Sequence, residues 1–347
     1  MKTVYGEDHR LQAGAAELID GRLQPCVERP ERAEIVLARV REVGHGAVLP
    51  PRGHGLEPVR RVHADRFLAF LETAWDLWVG EHGACDALPL SWAVRGMRRD
   101  VEPETVDGKL GYFSFDAGTP VTAGTWRAAR ASADVALTAA GLVAADGGGG
   151  RAAFGLCRPP GHHAARDLFG GYCFLNNAAI AAQALRDGGA GRVAVLDVDY
   201  HHGNGTQAIF YDRADVLFAS IHGHPAQEFP FFLGYADERG AGAGEGFNLN
   251  YPLRWGAGWE PWSAALEDAC RRIADYGPDA VVVSLGLDTF ERDPISRFRL
   301  RTDDFPRVGE RIARLKRPTA FLLEGGYAVE ELGVNAVGVL TGFEQAA

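Results

Sequence analysis

Val193-Ala-Val-Leu-Asp-Val-Asp-Tyr-His-His-Gly-Asn-Gly-Thr206 opens as an apolar, β-rich run and closes on a cluster of ionisable side chains. Side chains two residues apart on a strand share a face, so Asp197, Asp199 and His201 are expected to project together from a strand end. Such groups are costly to desolvate unless a metal ion or mutual pairing offsets the loss. Working outward, three further segments bring chemistry of the same kind. Pro159-Pro-Gly-His-His163 presents two adjacent imidazoles, Ser284-Leu-Gly-Leu-Asp288 ends an apolar run in a carboxylate, and Glu324-Gly-Gly-Tyr327 follows another.

Short apolar runs at 154–157, 193–199, 216–222, 280–288 and 319–324 are separated by segments of helical character. The latter fall at 125–143, 176–186, 262–276, 303–315 and 328–340, with earlier ones near 32–43 and 66–79. This alternation predicts an α/β fold with a mostly parallel central sheet flanked by helices. In such sheets the ligand site lies outside the carboxyl ends of the strands, where all four motifs fall. The region from about 80 to 118 is loop-rich, with Pro89, Pro103 and Trp92, and reads as a long insertion, a lid or an oligomer contact. The glycines at 147–150 read as a turn. No linker or repeat divides the chain, so residues 1–347 are taken as a single domain.

Composition narrows the class. Apolar residues make up 46% and charged residues 24%, as in a soluble protein with a large core. The net charge of −10 comes without any Lys/Arg-rich block, which argues against a nucleic-acid partner and mildly favours cationic ligands. Five widely spaced cysteines with no Cys-x-x-Cys fit a reducing compartment better than a disulfide framework. The acidic N-terminal stretch is unlike a signal peptide, and no run approaches the roughly 20 apolar residues of a membrane span. A cytoplasmic location is the expectation.

Asp199, His201 and Asp288 offer two carboxylate oxygens and one imidazole nitrogen, the number of protein ligands a catalytic zinc site uses while keeping a position open. Iron(II) or cobalt(II) suits the same mixed donors, so zinc is the default. A lone histidine is more often a core residue than a catalyst, but His162 and His163 follow a rigid Pro-Pro-Gly turn beside a metal site, which favours acid–base work. Asp197 and Asn204 are candidates for orienting their far nitrogens. His202 points away and reads as structural. Tyr327 stays protonated at neutral pH and can donate a hydrogen bond to a developing oxyanion.

Taken together, the motifs resemble the arginase-fold, zinc-dependent deacetylases, which include histone deacetylases and bacterial acetylpolyamine amidohydrolases. The likeness extends over nearly the whole chain. It is carried by Cys157-Arg-Pro-Pro-Gly-His-His-Ala164, Gly170-Gly-Tyr-Cys-Phe-Leu-Asn-Asn177, Asp197-Val-Asp-Tyr-His-His-Gly-Asn-Gly-Thr206, Phe232-Leu-Gly-Tyr235, Asp288-Thr-Phe-Glu-Arg-Asp-Pro-Ile-Ser296 and Glu324-Gly-Gly-Tyr327. It implies zinc on Asp199, His201 and Asp288, His163 as base and acid helped by His162, and Tyr327 clamping the substrate carbonyl. Asp197 would pair with His162 and Asn204 would stand beside His163. Tyr172 and Phe229 would wall a narrow channel. A structural potassium ion would sit on the backbone carbonyls of Asp197, Asp199 and His201 with Ser220 and Ile221. The 80–118 insertion would make a homodimer and narrow the entrance.

The resemblance points to deacetylation of acetylated diamines and polyamines, with acetyl-lysine in proteins or another small amide as the alternative substrate. Some polyamine enzymes carry a glutamate at the channel mouth where this chain has Gly118, with Asp116 and Asp107 as nearby substitutes. A second branch has its glutamate where this chain has Ile295. A two-manganese ureohydrolase would need more ligands than the Asp288-Thr289 pair gives, and a non-catalytic sensor would be expected to lack a ligand, the base or the tyrosine.

Overall fold

The protein is seen here as a computed structural model that describes residues 1–19, 21–145 and 152–347. The 147–150 glycine run expected to turn lies outside the described residues. The strands are β1 (Lys2–Val4), β2 (Glu17–Ile19), β3 (Arg22–Gln24), β4 (Val48–Leu49), β5 (Ala152–Gly155), β6 (Val193–Asp197), β7 (Val216–Gly223), β8 (Asn248–Leu253), β9 (Ala280–Leu285) and β10 (Thr319–Leu323). Eight of them form one sheet in the order β4-β1-β5-β10-β9-β6-β7-β8, and every pairing in it is parallel. The pair β2–β3 is a small antiparallel hairpin.

The helices are α1 (Glu31–Glu42), α2 (Glu57–Arg60), α3 (Asp65–His82), α4 (Val106–Tyr112), α5 (Thr125–Ala145), α6 (Asn177–Asp187), α7 (Asn204–Phe210), α8 (Trp259–Tyr276), α9 (Asp304–Ala313) and α10 (Val329–Ala346). They cover both faces of the sheet. Val193 and Val195 of β6 pack with α3, α5 and α6, while Ala194 and Leu196 pack on the opposite side with α1, α8, α9 and α10. A strand buried on both faces must be apolar throughout, which is why β6 and β9 read as continuous runs rather than as alternating ones.

Register brings the chemistry to one level. Asp197 pairs with Ser284 across β6–β9, Leu323 with Leu285 across β10–β9, and Leu322 with Gly155 across β10–β5. The segments leaving β5, β6, β9 and β10 therefore emerge side by side at the carboxyl edge.

Three sequence expectations change. The β6 strand stops at Asp197 and β9 at Leu285. Asp199, His201 and Asp288 thus stand on the loops beyond, and it is loop geometry, not strand alternation, that converges them. The short strands β1, β4 and β8 were not legible: Asn248, Asn250 and Pro252 give β8 the composition of a loop, and only a sheet edge accepts proline at such a position. Finally, the 80–118 region is not all loop. It contains α4, capped by Thr105, and Ala87 bridges to Val121.

Candidate metal centre and active site

The loop after β6 folds so that its backbone amides preset its own carboxylates. The amide of Asp199 donates to Asp197 Oδ1 (3.1 Å), that of His201 to Asp199 Oδ1 (2.8 Å), and that of Tyr200 to Asp288 Oδ1 (2.8 Å). Gly325 N donates to Asp199 Oδ2 at 2.8 Å. A Cβ on Gly325 would lie 2.4 Å from Asp288 Oδ2 and 2.7 Å from Asp199 Oδ2, so only glycine lets this backbone pass so close to both carboxylates.

Asp199, His201 and Asp288 are buried, with ligand-type atoms within 4.8 Å of one another. His201 Nδ1 lies 3.0 Å from Asp288 Oδ2 and 3.4 Å from Asp199 Oδ1. Burial and the adjacent Asp199 carboxylate push Asp288 up to about 7. For Asp199, burial is outweighed by the His162 and His201 cations, which hold its carboxyl well below the usual carboxylate range. Burial also opposes the His201 cation, but its hydrogen bonds to Asp199 and Asp288 carry it well above the ordinary imidazole value. Two converging buried carboxylates call for positive charge between them, and a two-oxygen, one-nitrogen donor set suits a divalent ion. A second buried group, His162, Cys173 and Glu324, is already committed to other bonds. Glu324 Oε2 accepts from the amides of Gly161 (2.6 Å) and His162 (3.1 Å), bracing the imidazole-bearing turn after β5.

The two imidazoles lie with centroids 4.0 Å apart and planes tilted by 43°, yet their environments differ. His162 Nδ1–H donates to Asp197 Oδ2 at 2.9 Å, and although burial disfavours its cation, the Asp197 and Asp199 carboxylates raise its pKa to about 10. His163 Nδ1–H donates to the neutral amide oxygen of Asn204 at 2.6 Å. Burial and the neighbouring His162 and His201 charges hold His163 well below the ordinary value, so it is a neutral base with Nε2 as its lone-pair nitrogen. Asp197 and Asn204 are thus the Nδ1 partners of His162 and His163. His202 is buried and bonded to Gln207 Oε1 (3.0 Å), consistent with a structural part.

Aromatic rings frame the pocket. The Phe229 ring stands 5.2 Å from that of His163 and 6.1 Å from that of His201, while Tyr172, held at a positive φ of 66°, meets the Tyr327 ring edge-on at 5.7 Å. Phe115, which sequence reasoning passed over, stacks on Phe229 at 5.8 Å and approaches His163 at 6.4 Å. Its signal was position alone, three residues past α4 in the insertion. Tyr327 is buried, and burial drives its phenol well above the ordinary value, keeping it a donor. A cavity of about 730 Å³ adjoins Phe115 and Asn204 and is rimmed by Trp92, Tyr112, Phe232 and Leu233.

The acids considered for the channel mouth have partners within the protein. Asp107 sits on α4 with Oδ2 3.0 Å from His82 Nε2, on the surface shared with α3. Asp116 is half-buried and accepts from the backbone amides of Gly171 and Gly118, so it braces the Tyr172 turn. Ile295 is half-buried in the turn after Asp293 and donates its amide to that carboxylate (3.1 Å). Near Gly118 the structure places another acid, Glu17: a Cβ on Gly118 would lie 3.8 Å from Glu17 Oε2.

A buried anionic pocket at the edge of a parallel sheet, with a neutral imidazole and a phenol beside it, defines a class: an enzyme that hydrolyses amides with the aid of a metal ion. Within that class the chain belongs to the histone deacetylase family, whose domain matches residues 26–343. It is 59% identical to acetylpolyamine amidohydrolase 2 of Pseudomonas aeruginosa over 99% of both chains, and 50% identical to the acetylpolyamine amidohydrolase of Mycoplana ramosa, again over 99% of each. The crystal structure of acetylpolyamine aminohydrolase from Burkholderia pseudomallei superposes with a TM-score of 0.94 at 42% identity, covering all of this chain and 99% of that one.

Proposed function

We propose that this chain hydrolyses the amide of N-acetylated diamines and polyamines, of the acetylputrescine and acetylcadaverine type, to acetate and free amine. The observation that carries the reading is the convergence of Asp199, His201 and Asp288 with His162, His163 and Tyr327 beneath an aromatic entrance. The full-length likeness to acetylpolyamine amidohydrolases supports the substrate class. The assigned metal is zinc, with iron(II) or cobalt(II) as substitutes, held by His201 Nδ1 and the two carboxylates. Bound there, it supplies Lewis acidity that polarises the amide carbonyl and acidifies water.

The remaining chemistry falls to this chain's own side chains. His163 Nε2 takes the proton from the attacking water as the new C–O bond forms. Tyr327 donates its phenolic hydrogen to the developing oxyanion, a contact stronger in the transition state than in the ground state. As the C–N bond breaks, a protonated imidazole of the pair gives its proton to the amine, which is too poor a leaving group to depart as an anion. Tyr172, Phe229 and Phe115 pack along the alkyl chain and keep out water.

The reading includes a cytoplasmic homodimer. The dimer's support is apolar exposure in the insertion (Leu90, Val94 and Met97) and beyond Phe229 (Phe231 and Phe232), with Phe232 86% exposed. A structural potassium ion beside the β6 loop belongs to the same proposal. Acetyl-lysine peptides are the second reading, favoured by one observation: Asp116 has both carboxylate oxygens on backbone amides and Asp107 pairs with His82. Amine release by zinc-loaded protein from acetylputrescine, acetylcadaverine, acetylspermidine and an acetyl-lysine peptide, with a chelated control, tests both. Chelator-sensitive preference for the acetylated amines supports the first reading; activity on the peptide alone replaces it with the second.

A further inference from the structure

We propose that Asp293 is a positioning residue for Tyr327, fixing the direction of the phenol through the backbone. The inference rests on the reading of Tyr327 as the oxyanion donor. Tyr327 arrives by way of Gly325 and Gly326, the latter at φ 124°, so the chain entering it has little side-chain packing of its own. Its hydroxyl has no hydrogen-bond partner among the described residues, so its aim is set by whatever holds its backbone and ring.

Three contacts do that. The Tyr327 amide donates to Asp293 Oδ2 at 2.7 Å. Arg32, fully buried, donates Nε to the carbonyl of Gly326 and Nη2 to that of Glu324, each at 2.6 Å, and its guanidinium lies 4.6 Å from the Tyr327 ring centroid. The Tyr172 ring closes the far side. Of these, the Asp293 bond is the one made to Tyr327's own backbone. Asp293 is in turn fixed: it is only 7% exposed, its Oδ1 accepts from Ile295 N, and its amide donates to the carbonyl of Phe290 at 3.0 Å. The carboxylate therefore ties the loop that begins at the metal-ligand position Asp288 to the loop that carries the phenol, 34 residues on. A small rotation at Tyr327 Cα is magnified at Oη, and a displacement of about 1 Å there is enough to cost on the order of a hundredfold in rate.

The test is a cycle in the zinc-loaded full-length enzyme, with acetylputrescine as substrate and, should the peptide reading hold, the acetyl-lysine peptide instead. Asp293→Ala is expected to lower kcat at least about tenfold with KM within about twofold, the signature of an interaction made in the transition state. Asp293→Asn keeps one oxygen that can accept from Tyr327 N but turns its NH2 toward the Ile295 amide, so its kcat is expected to fall between those of the parent and Asp293→Ala. In a Tyr327→Phe background, Asp293→Ala is expected to cost less than about twofold more, because its target hydroxyl is gone. Equal losses from Asp293→Ala in both backgrounds would overturn the inference, as would an Asp293→Asn enzyme as slow as Asp293→Ala. If Asp293→Ala fails to fold, Asp293→Ser, too short to reach the amide, takes its place in the cycle. Near-parental turnover by Tyr327→Phe alone would sink the oxyanion assignment itself, a failure distinct from that of the Asp293 inference.

Discussion

At the residue scale, the division of labour proposed for His162 and His163 rests on one difference in partner. Both imidazoles are buried and both donate Nδ1–H, one to a carboxylate and one to a neutral amide. A carboxylate beside an imidazole stabilises its cation, whereas an amide orients it without adding charge. Replacing Asn204 by aspartate moves His163 toward the His162 condition. The folded-state pKa of His163 then rises, and the base is protonated at a higher pH than before. Asn204→Asp is therefore expected to shift the acidic limb of the kcat/KM profile of the metal-loaded enzyme to higher pH, by at least about one unit, with the basic limb unmoved. An acidic limb that stays in place would show that His163 is not the group whose deprotonation activates the enzyme. The hydrogen bond is short and buried, so the substitution acts where screening by solvent is weak.

At the scale of elements, the site is a set of loops held at level strand ends, and what the sequence made legible follows from that. Strands β5, β6, β9 and β10 were readable because burial on both faces demands continuous apolar runs, and the ligand loops because Asp199, His201 and Asp288 carry charge where charge is costly. Asp293, Arg32 and Glu324 were not, because their roles lie in contacts spanning 34, 294 and 163 residues, which no local spacing encodes. The partners of Asp107 and Asp116, His82 and the backbone amides of Gly171 and Gly118, were not legible for the same reason. Glu228 is another element-level tie. Its Oε2 accepts from Tyr200 Oη (2.5 Å) and Trp255 Nε1 (3.1 Å) and its Oε1 from Phe229 N (3.0 Å), which joins the metal loop to the aromatic wall. Glu228→Ala frees Phe229 without touching the reacting atoms. It is expected to raise KM for acetylated diamines severalfold while kcat falls less, because packing along the alkyl chain is felt equally in the ground and transition states. A loss confined to kcat would instead mean that Glu228 acts through Tyr200 on the ligands.

Across the whole molecule, the three proposed ligands join the ends of two neighbouring strands: Asp199 and His201 follow β6, Asp288 follows β9, and Gly325 beyond β10 bonds to Asp199. Without a cation, the two carboxylates repel one another and are relieved by charging imidazoles, which itself works against burial. A divalent ion removes that conflict in the folded state alone, since the unfolded chain cannot gather residues 199, 201 and 288. Binding to the native state only raises stability by an amount set by metal concentration over Kd, about 4 kcal/mol at a thousandfold excess. Chelation is thus expected to lower the melting temperature by at least roughly 5 °C, and readdition of zinc to restore it. The shift should vanish in Asp288→Asn, which weakens the donor set while nearly preserving its volume, so that the variant's melting no longer responds to chelator or to zinc whatever its metal-free stability. A parent protein whose melting is indifferent to chelator and to zinc would place the ion, if any, outside these three residues. The melting curve reads folding and not turnover, so it tests the metal centre even if every candidate substrate fails.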